Sequence, residues 1–237
     1  MKLSKFPSCS VLPILCTAIL PSILPATITA CQSRTSDSAI YIIGYGQDEP
    51  PNMQLPFWDE DFWYLSRGYE TETHRDNGFE YGDDRYALDF TKPDCEAYGA
   101  WITAIADGRV MQLTLAADQP TANEEGYGYT LLIEHENSYV SRYAHLAGSN
   151  VEEDEWLVQG QIIGAVGNTG NATGGNCQEH PGTHLHLALY WEGEGVRPIP
   201  MSGLYRFEED CWYRAIKATA SSEAYGEKDC SRNPGEY

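Results

Sequence analysis

The stretch GTHLHLALY, residues 182–190, alternates imidazole and leucine side chains in a way that restricts what the chain can build. Successive side chains of an extended strand point to opposite faces, so Leu185, Leu187 and Leu189 share one face while His184 and His186 share the other. The leucines read as a core face. Taken alone, the two histidines fit a solvated pair, a hydrogen-bonded packing pair or part of a metal site.

The rest of the body has the same character. From residue 55 to Tyr190 it is a series of short runs separated by turn residues: YALDF, AWITAIADGRVMQL, GYGYTLLIEHENSYVSRYAHL and GQIIGAVGNTG. The third run reads as a hairpin with ENS at its turn. Sixteen tyrosines, six tryptophans and 22 glycines spread among such runs favour strands and turns over long helices, and the expectation is a mainly β, antiparallel architecture. A chain of 237 residues without an internal repeat is long enough for one sizeable domain with appendages. Its formal charge of −20 excludes nucleic acid as a partner held by bulk electrostatics, because phosphate binding needs a basic footprint.

Residues 1–30 read as a secretory signal: Lys2 and Lys5 precede an apolar region that carries no charge up to Cys31. Pro13, Pro21 and Pro25 break that region into pieces too short for a membrane span. Its end, ITAC, resembles the lipobox of bacterial lipoproteins, which would make Cys31 a lipidated mature N-terminus and a membrane attachment; ordinary cleavage nearby is the alternative. Residues 31–54 are polar and proline-containing, and read as a tether or pro-segment. Export places the mature chain in the periplasm or at the cell surface. Four cysteines then remain, Cys95, Cys177, Cys211 and Cys230, an even number that points to two disulfides with three possible pairings.

All six histidines, His74, His135, His145, His180, His184 and His186, fall within residues 74–186, which favours a shared site. Asp89 lies among apolar and aromatic neighbours in YALDF, where an unpaired carboxylate is costly, so a metal or a strong donor is expected beside it. A salt-bridged strand-end aspartate is the plainer reading. His135 at a turn reads as structural, His180 as a loop residue, and Arg142 and Tyr143 as packing residues. The glycines of residues 164–175 lack a following GK[ST] and read as turn and close-approach positions, not a phosphate cradle. HENSY begins like HExxH but lacks the second histidine, which excludes a helical zinc-protease site.

The ordered set SRGYETETH, RYALDF, ADGRV, GYGYTLLIEH, RYAHL, GQIIGAVGNTG and GTHLHLAL resembles the lysostaphin/LytM-type zinc metallopeptidases, most closely their β-lytic branch, over roughly residues 55–200. The resemblance implies a single antiparallel β-sheet domain of the duplicated hybrid motif type over residues 55–200, followed by a short irregular tail, residues 201–237. It implies one Zn2+ held by His74, Asp89 and His186, with His145 and His184 beside the reacting carbonyl as catalytic residues. The implied activity is hydrolysis of peptide bonds in bacterial cell-wall peptidoglycan, in a stem peptide or a crosslink. A non-catalytic wall-binding or amidase-activating relative is the alternative. The commonest family pattern has its first histidine four residues before the aspartate, where this chain has Arg85, so His74 rests on the longer insertion of the β-lytic branch. The expanded loop NATGGNCQEHPG before the histidine strand is a second departure, able to reshape the groove or bring in His180. Cys95 and Cys177 flank motif segments that meet near the metal in this arrangement, so the expected bonds are Cys95–Cys177 and Cys211–Cys230.

Overall fold

The computed structural model describes residues 49–76, 78, 81–114, 126–173, 177–219 and 222–232. The signal segment, Cys31 and the tether up to residue 48 lie outside the described residues, as do Gly174 and Gly175. The strands are β1 (Trp63–Arg67), β2 (Leu88–Thr91), β3 (Trp101–Thr103), β4 (Gly108–Thr114), β5 (Tyr129–Glu134), β6 (Tyr139–Ser149), β7 (Trp156–Leu157), β8 (Ile162–Val166), β9 (Leu185–Trp191), β10 (Glu194–Val196), β11 (Trp212–Ile216) and β12 (Tyr225–Asp229). They form one sheet in the order β12-β11-β1-β2-β9-β6-β5-β4-β7, with β10 beside β9, and β8 joining β3 to β6. Every pairing between these strands is antiparallel. β5 and β6 form the expected hairpin, turning through a 3-10 segment at Glu136–Ser138.

β9 carries the histidine stretch in the middle of the sheet, between β2 and β6. On its leucine face, Leu187 stands opposite Leu88 of β2 and Tyr143 of β6, and Leu185 opposite Phe90, all at 0% exposure. Each such leucine contributes roughly 1.5–3 kcal/mol by leaving water, so the leucine face holds the strand and thereby sets the histidine face.

Two segments are more ordered than their composition implies. Met53, within the stretch read as tether, is buried in the core and bridges Met201, while the Gln54 amide donates to the Ile105 carbonyl at 2.8 Å. Order therefore begins before residue 55. The segment 201–237, expected to be an irregular tail, instead supplies β11 and β12: Tyr213 and Trp212 pair with Trp63 and Tyr64 and extend the sheet past β1. Aromatic burial explains the difference, since Trp63, Trp212 and Tyr213 are each at most 2% exposed and a strand on either side of them is needed to exclude water.

Both expected disulfides are present, Cys95–Cys177 and Cys211–Cys230. The second closes a loop of sequence separation 19 across the β11–β12 hairpin. Replacing Cys211 and Cys230 with serine should destabilise the chain by about 3 kcal/mol in the chain-entropy account. A denaturant midpoint that is the same in the double variant and in the reduced and oxidised wild type would contradict this.

His135 takes the structural role expected of it. Its Nδ1 bonds the Asp107 carbonyl at 2.8 Å and its Nε2 bonds Ser141 Oγ at 2.7 Å, behind the leucine face. Burial outweighs the bond to Asp107 and pushes its pKa below the ordinary histidine value, 6.5. The unfolded chain then binds a proton that the folded chain resists. The contribution of His135 is complete above pH ~6.5 and is lost as pH falls through that value towards the folded pKa. His135→Gln should flatten the fall in stability on acidification across that window, measured as urea midpoints at several pH values; unchanged slopes would count against this role.

Candidate metal centre and catalytic cleft

Asp89 is the direct cross-strand partner of His186, and Ala144 of β6 is its partner on the other side. Asp89 Oδ1 lies 2.9 Å from His186 Nδ1 and 3.7 Å from His184 Nε2, while Oδ2 lies 3.1 Å from His74 Nε2. His74 reaches this point from the loop between β1 and β2, where its amide donates to the Thr71 carbonyl at 3.1 Å. The structure thus brings together all three sequence-derived ligand candidates, with one ligand atom from each of His74, Asp89 and His186 within 4.8 Å of the others. His145, His184 and His186 form a second group of the same compactness.

The hydrogen bonds select which ring nitrogen faces inward. His74 Nδ1 donates to the Gly68 carbonyl at 2.6 Å, His145 Nδ1 to Thr169 at 2.7 Å and His184 Nδ1 to Gly182 at 2.7 Å. In each ring Nε2 is left with its lone pair directed into the cleft. His74 Nε2 is buried and faces Asp89 Oδ2, so with Nδ1 as the donor its lone pair and the carboxylate oxygen point at each other, an arrangement that is costly unless a cation lies between them. His186 differs: its Nδ1 faces Asp89, and its Nε2 faces Asp84 Oδ2 at 3.5 Å. Imidazole nitrogens plus one carboxylate suit zinc, once His186 has given up its proton.

His145 reaches the cleft through a backbone irregularity. Strict alternation after Ala144 would aim it at the leucine face. Its φ of 60° breaks that alternation, and its ring lies 4.6 Å from the His184 ring and 5.8 Å from that of His186, centroid to centroid. A non-glycine residue in the left-handed region is strained and persists only where the surroundings hold it. Here the His145 amide donates to Tyr127 at 2.9 Å and its ring is tied to Thr169. The Thr169 loop is seated by Gly170 and Gly128, both with positive φ; a Cβ on Gly170 would come within 2.3 Å of the Gly128 amide nitrogen.

The electrostatics follow from this packing. Burial alone would raise Asp89, but the imidazoles of His184 and His74 beside it and the hydrogen bond from His186 hold it well below the usual carboxylate range. Burial, followed by the neighbouring imidazoles of His184 and His186, pushes His145 well below the ordinary imidazole value. Burial also lowers His184. For His186 burial is opposed by Asp84 and then Asp89, which push it up to about 9.

Asp84 was not singled out by the sequence, where it is one acid among many in GDDRYALDF. It is buried, accepts the Tyr190 hydroxyl at 2.5 Å and the Tyr127 hydroxyl, and faces His186. Arg142, read as a packing residue, lies with its guanidinium carbon 3.7 Å from the centroid of the Tyr127 ring. Arg85, at the position where the commoner family pattern has histidine, turns outward and pairs with Asp83. His180 stacks on Tyr98 at 3.5 Å and does not line the cleft. The cleft itself has a volume of about 340 Å³, and Asn171 and Thr173 of the expanded loop form part of its wall.

Residues 87–198 match the model of the family described as Peptidase family M23. Over 101 residues the chain is 33% identical to the murein hydrolase activator NlpD of Escherichia coli strain K12, covering 43% of this chain and 22% of that protein. It is 31% identical over 101 residues to the lipoprotein NlpD of Yersinia enterocolitica, covering 43% of this chain and 88% of that protein. Over 86 residues it is 36% identical to the peptidoglycan DD-endopeptidase ShyA of Vibrio cholerae serotype O1, covering 35% of this chain and 18% of that protein. The chain spans about a fifth of the length of the Escherichia coli relative. His74 precedes the matched residues, as the long insertion before Asp89 requires. With this match, and with a relative covered over most of its length, the chain belongs to peptidase family M23.

Proposed function

We propose that the chain is a zinc endopeptidase that hydrolyses peptide bonds of bacterial peptidoglycan, with His74, Asp89 and His186 as the metal ligands. The observation that carries this reading is the convergence of three backbone-locked Nε2 atoms, one Nδ1 and one carboxylate on a single cleft. When bound there, a zinc ion supplies Lewis acidity towards water and an amide carbonyl. Asp89, held ionised, offers one oxygen towards each of His74 and His186 and offsets part of the metal charge. His145 and His184, kept neutral by burial, present Nε2 lone pairs to the cleft; one accepts the proton of the attacking water, and the imidazolium so formed donates its Nε2–H to the developing oxyanion and then passes the proton to the leaving amine, while the other holds the water by accepting its second hydrogen. Being fixed beforehand by Thr169 and Gly182, they need no reorganisation as charge develops.

A second reading is favoured by the names of the NlpD relatives: a wall-bound activator of a separate murein hydrolase. Incubation of the full mature chain with purified peptidoglycan, with and without chelator, separates the two. New amino termini released by the zinc-loaded chain and abolished by chelator support the peptidase. Zinc binding without release, together with stimulation of an added murein hydrolase, supports the activator. We further propose attachment to a membrane through a lipidated Cys31, supported by ITAC and by the lipoprotein name of the Yersinia relative. Mass spectrometry of the mature N-terminus tests it, and an unmodified terminus elsewhere would exclude it.

A further inference from the structure

The full chain has 35 acidic residues and 15 lysines and arginines, so a cation has an abundance of carboxylates to pair with. Nearly every cation among the described residues does so or lies over a ring: Arg85 with Asp83, Arg214 with Glu227, Lys92 with Asp59, Arg197 over Tyr69. Two arginines depart from this pattern. Arg67 and Arg75 have neither an ion pair nor a ring partner among the described residues, and both line the cleft that holds the histidines.

Their placement is tied to the metal ligands. Arg67 is the register partner of Asp89 across β1 and β2, and Arg75 follows His74 in the chain. Arg67 spans to the opposite wall, where its Nη1 donates to the Thr173 carbonyl at 3.2 Å and to Thr173 Oγ1 at 3.0 Å. That leaves Nε and Nη2 without a protein acceptor among the described residues, on a guanidinium whose direction is already set. Glu72 is the one exposed carboxylate on the same wall, and it ion-pairs with neither arginine.

We propose that Arg67 and Arg75 form a subsite for a free carboxylate of the peptide substrate, so that the cleft selects peptides bearing a carboxylate next to the bond that is cut. The inference rests on the peptidase reading and adds the substrate class to it. Guanidinium groups suit this because their planar donors match a carboxylate in two parallel bonds, and an anion entering a strongly acidic protein needs local cations to offset the surrounding field.

The test uses two synthetic crosslinked peptides of the wall type, identical except that the carboxylates flanking the scissile bond are free in one and carboxamides in the other. The zinc-loaded full chain should cleave the acid peptide with kcat/KM about tenfold or more above the amide, since loss of a charge-assisted pair is of that order. In Arg67→Gln/Arg75→Gln the ratio should fall to near one, with the change carried by KM; Arg67→Lys/Arg75→Lys should restore part of it, since the charge is kept without the planar fork. Equal kcat/KM for the two peptides in the wild type overturns the proposal without any variant being needed. So does a glutamine variant that slows both peptides alike through kcat and keeps their ratio. If the wild type cleaves neither peptide, the peptidase reading fails separately, and calorimetric binding of the same two peptides decides the subsite: tighter binding of the acid than of the amide, lost in the glutamine variant, supports it, and equal binding removes it.

Discussion

His186→Ala is expected to lose zinc and hydrolysis together. The residue carries the Nδ1 that lies 2.9 Å from Asp89 Oδ1, while the next nitrogen, His184 Nε2, is 3.7 Å from that oxygen. Zinc stoichiometry measured beside cell-wall hydrolysis should show both near zero. Asp84→Asn should have a smaller effect of the same kind, about 10–100-fold in zinc affinity, the usual cost of losing an outer partner that orients a ligand histidine. The metal-free protein has its own pH signature. Asp84 and Asp89 keep His186 protonated up to about pH 9, so zinc must displace a proton and its affinity should rise as pH increases towards that value. The stability of the metal-free fold runs the other way: the protonated His186 contributes fully below the unfolded histidine pKa, ~6.5, and its contribution is lost as pH rises through about 9. Full zinc and full activity in His186→Ala would remove it from the ligand set.

His145→Ala and His184→Ala should behave differently, keeping zinc and the fold while kcat falls on the order of 10²–10³-fold, the range seen when a single stabiliser of a developing oxyanion is removed. KM should move little, because these rings act on the transition state more than on the bound peptide. The measurement must pair metal content with turnover for each variant. Zinc lost in parallel with activity in both would assign the metal to the group His145, His184 and His186 instead of the group that includes Asp89.

The parts of this site that follow from side-chain alternation could be read directly from GTHLHLALY and YALDF, because a strand with one leucine face leaves its histidines a single place to go. His74 was legible only through resemblance, since the loop that delivers it obeys no period. His145 was nameable from its motif, but its route to the cleft was not: alternation points it the wrong way, and a φ of 60° is a property of the Tyr127 and Thr169 contacts, far along the chain. Asp84 was hidden by abundance, as nothing local separates it from Asp83, which faces Arg85 instead. β11 and β12 were missed because their apolar runs are short and become strands only against the Trp63 edge.

The position of β9 also governs when the site can exist. Asp89 and His186 are 97 residues apart in sequence, yet they meet as direct neighbours because β9 inserts between β2 and β6. A chain emerging from its N-terminus presents His74 and Asp89 long before their third partner, and contacts of such separation form late. Zinc offered to a half-emerged chain would find only two of the three proposed ligands. With the proposed ligands, metal acquisition would belong to the end of folding, in whichever compartment β9 finally docks, and any metal bound there would report the ion supply of that compartment.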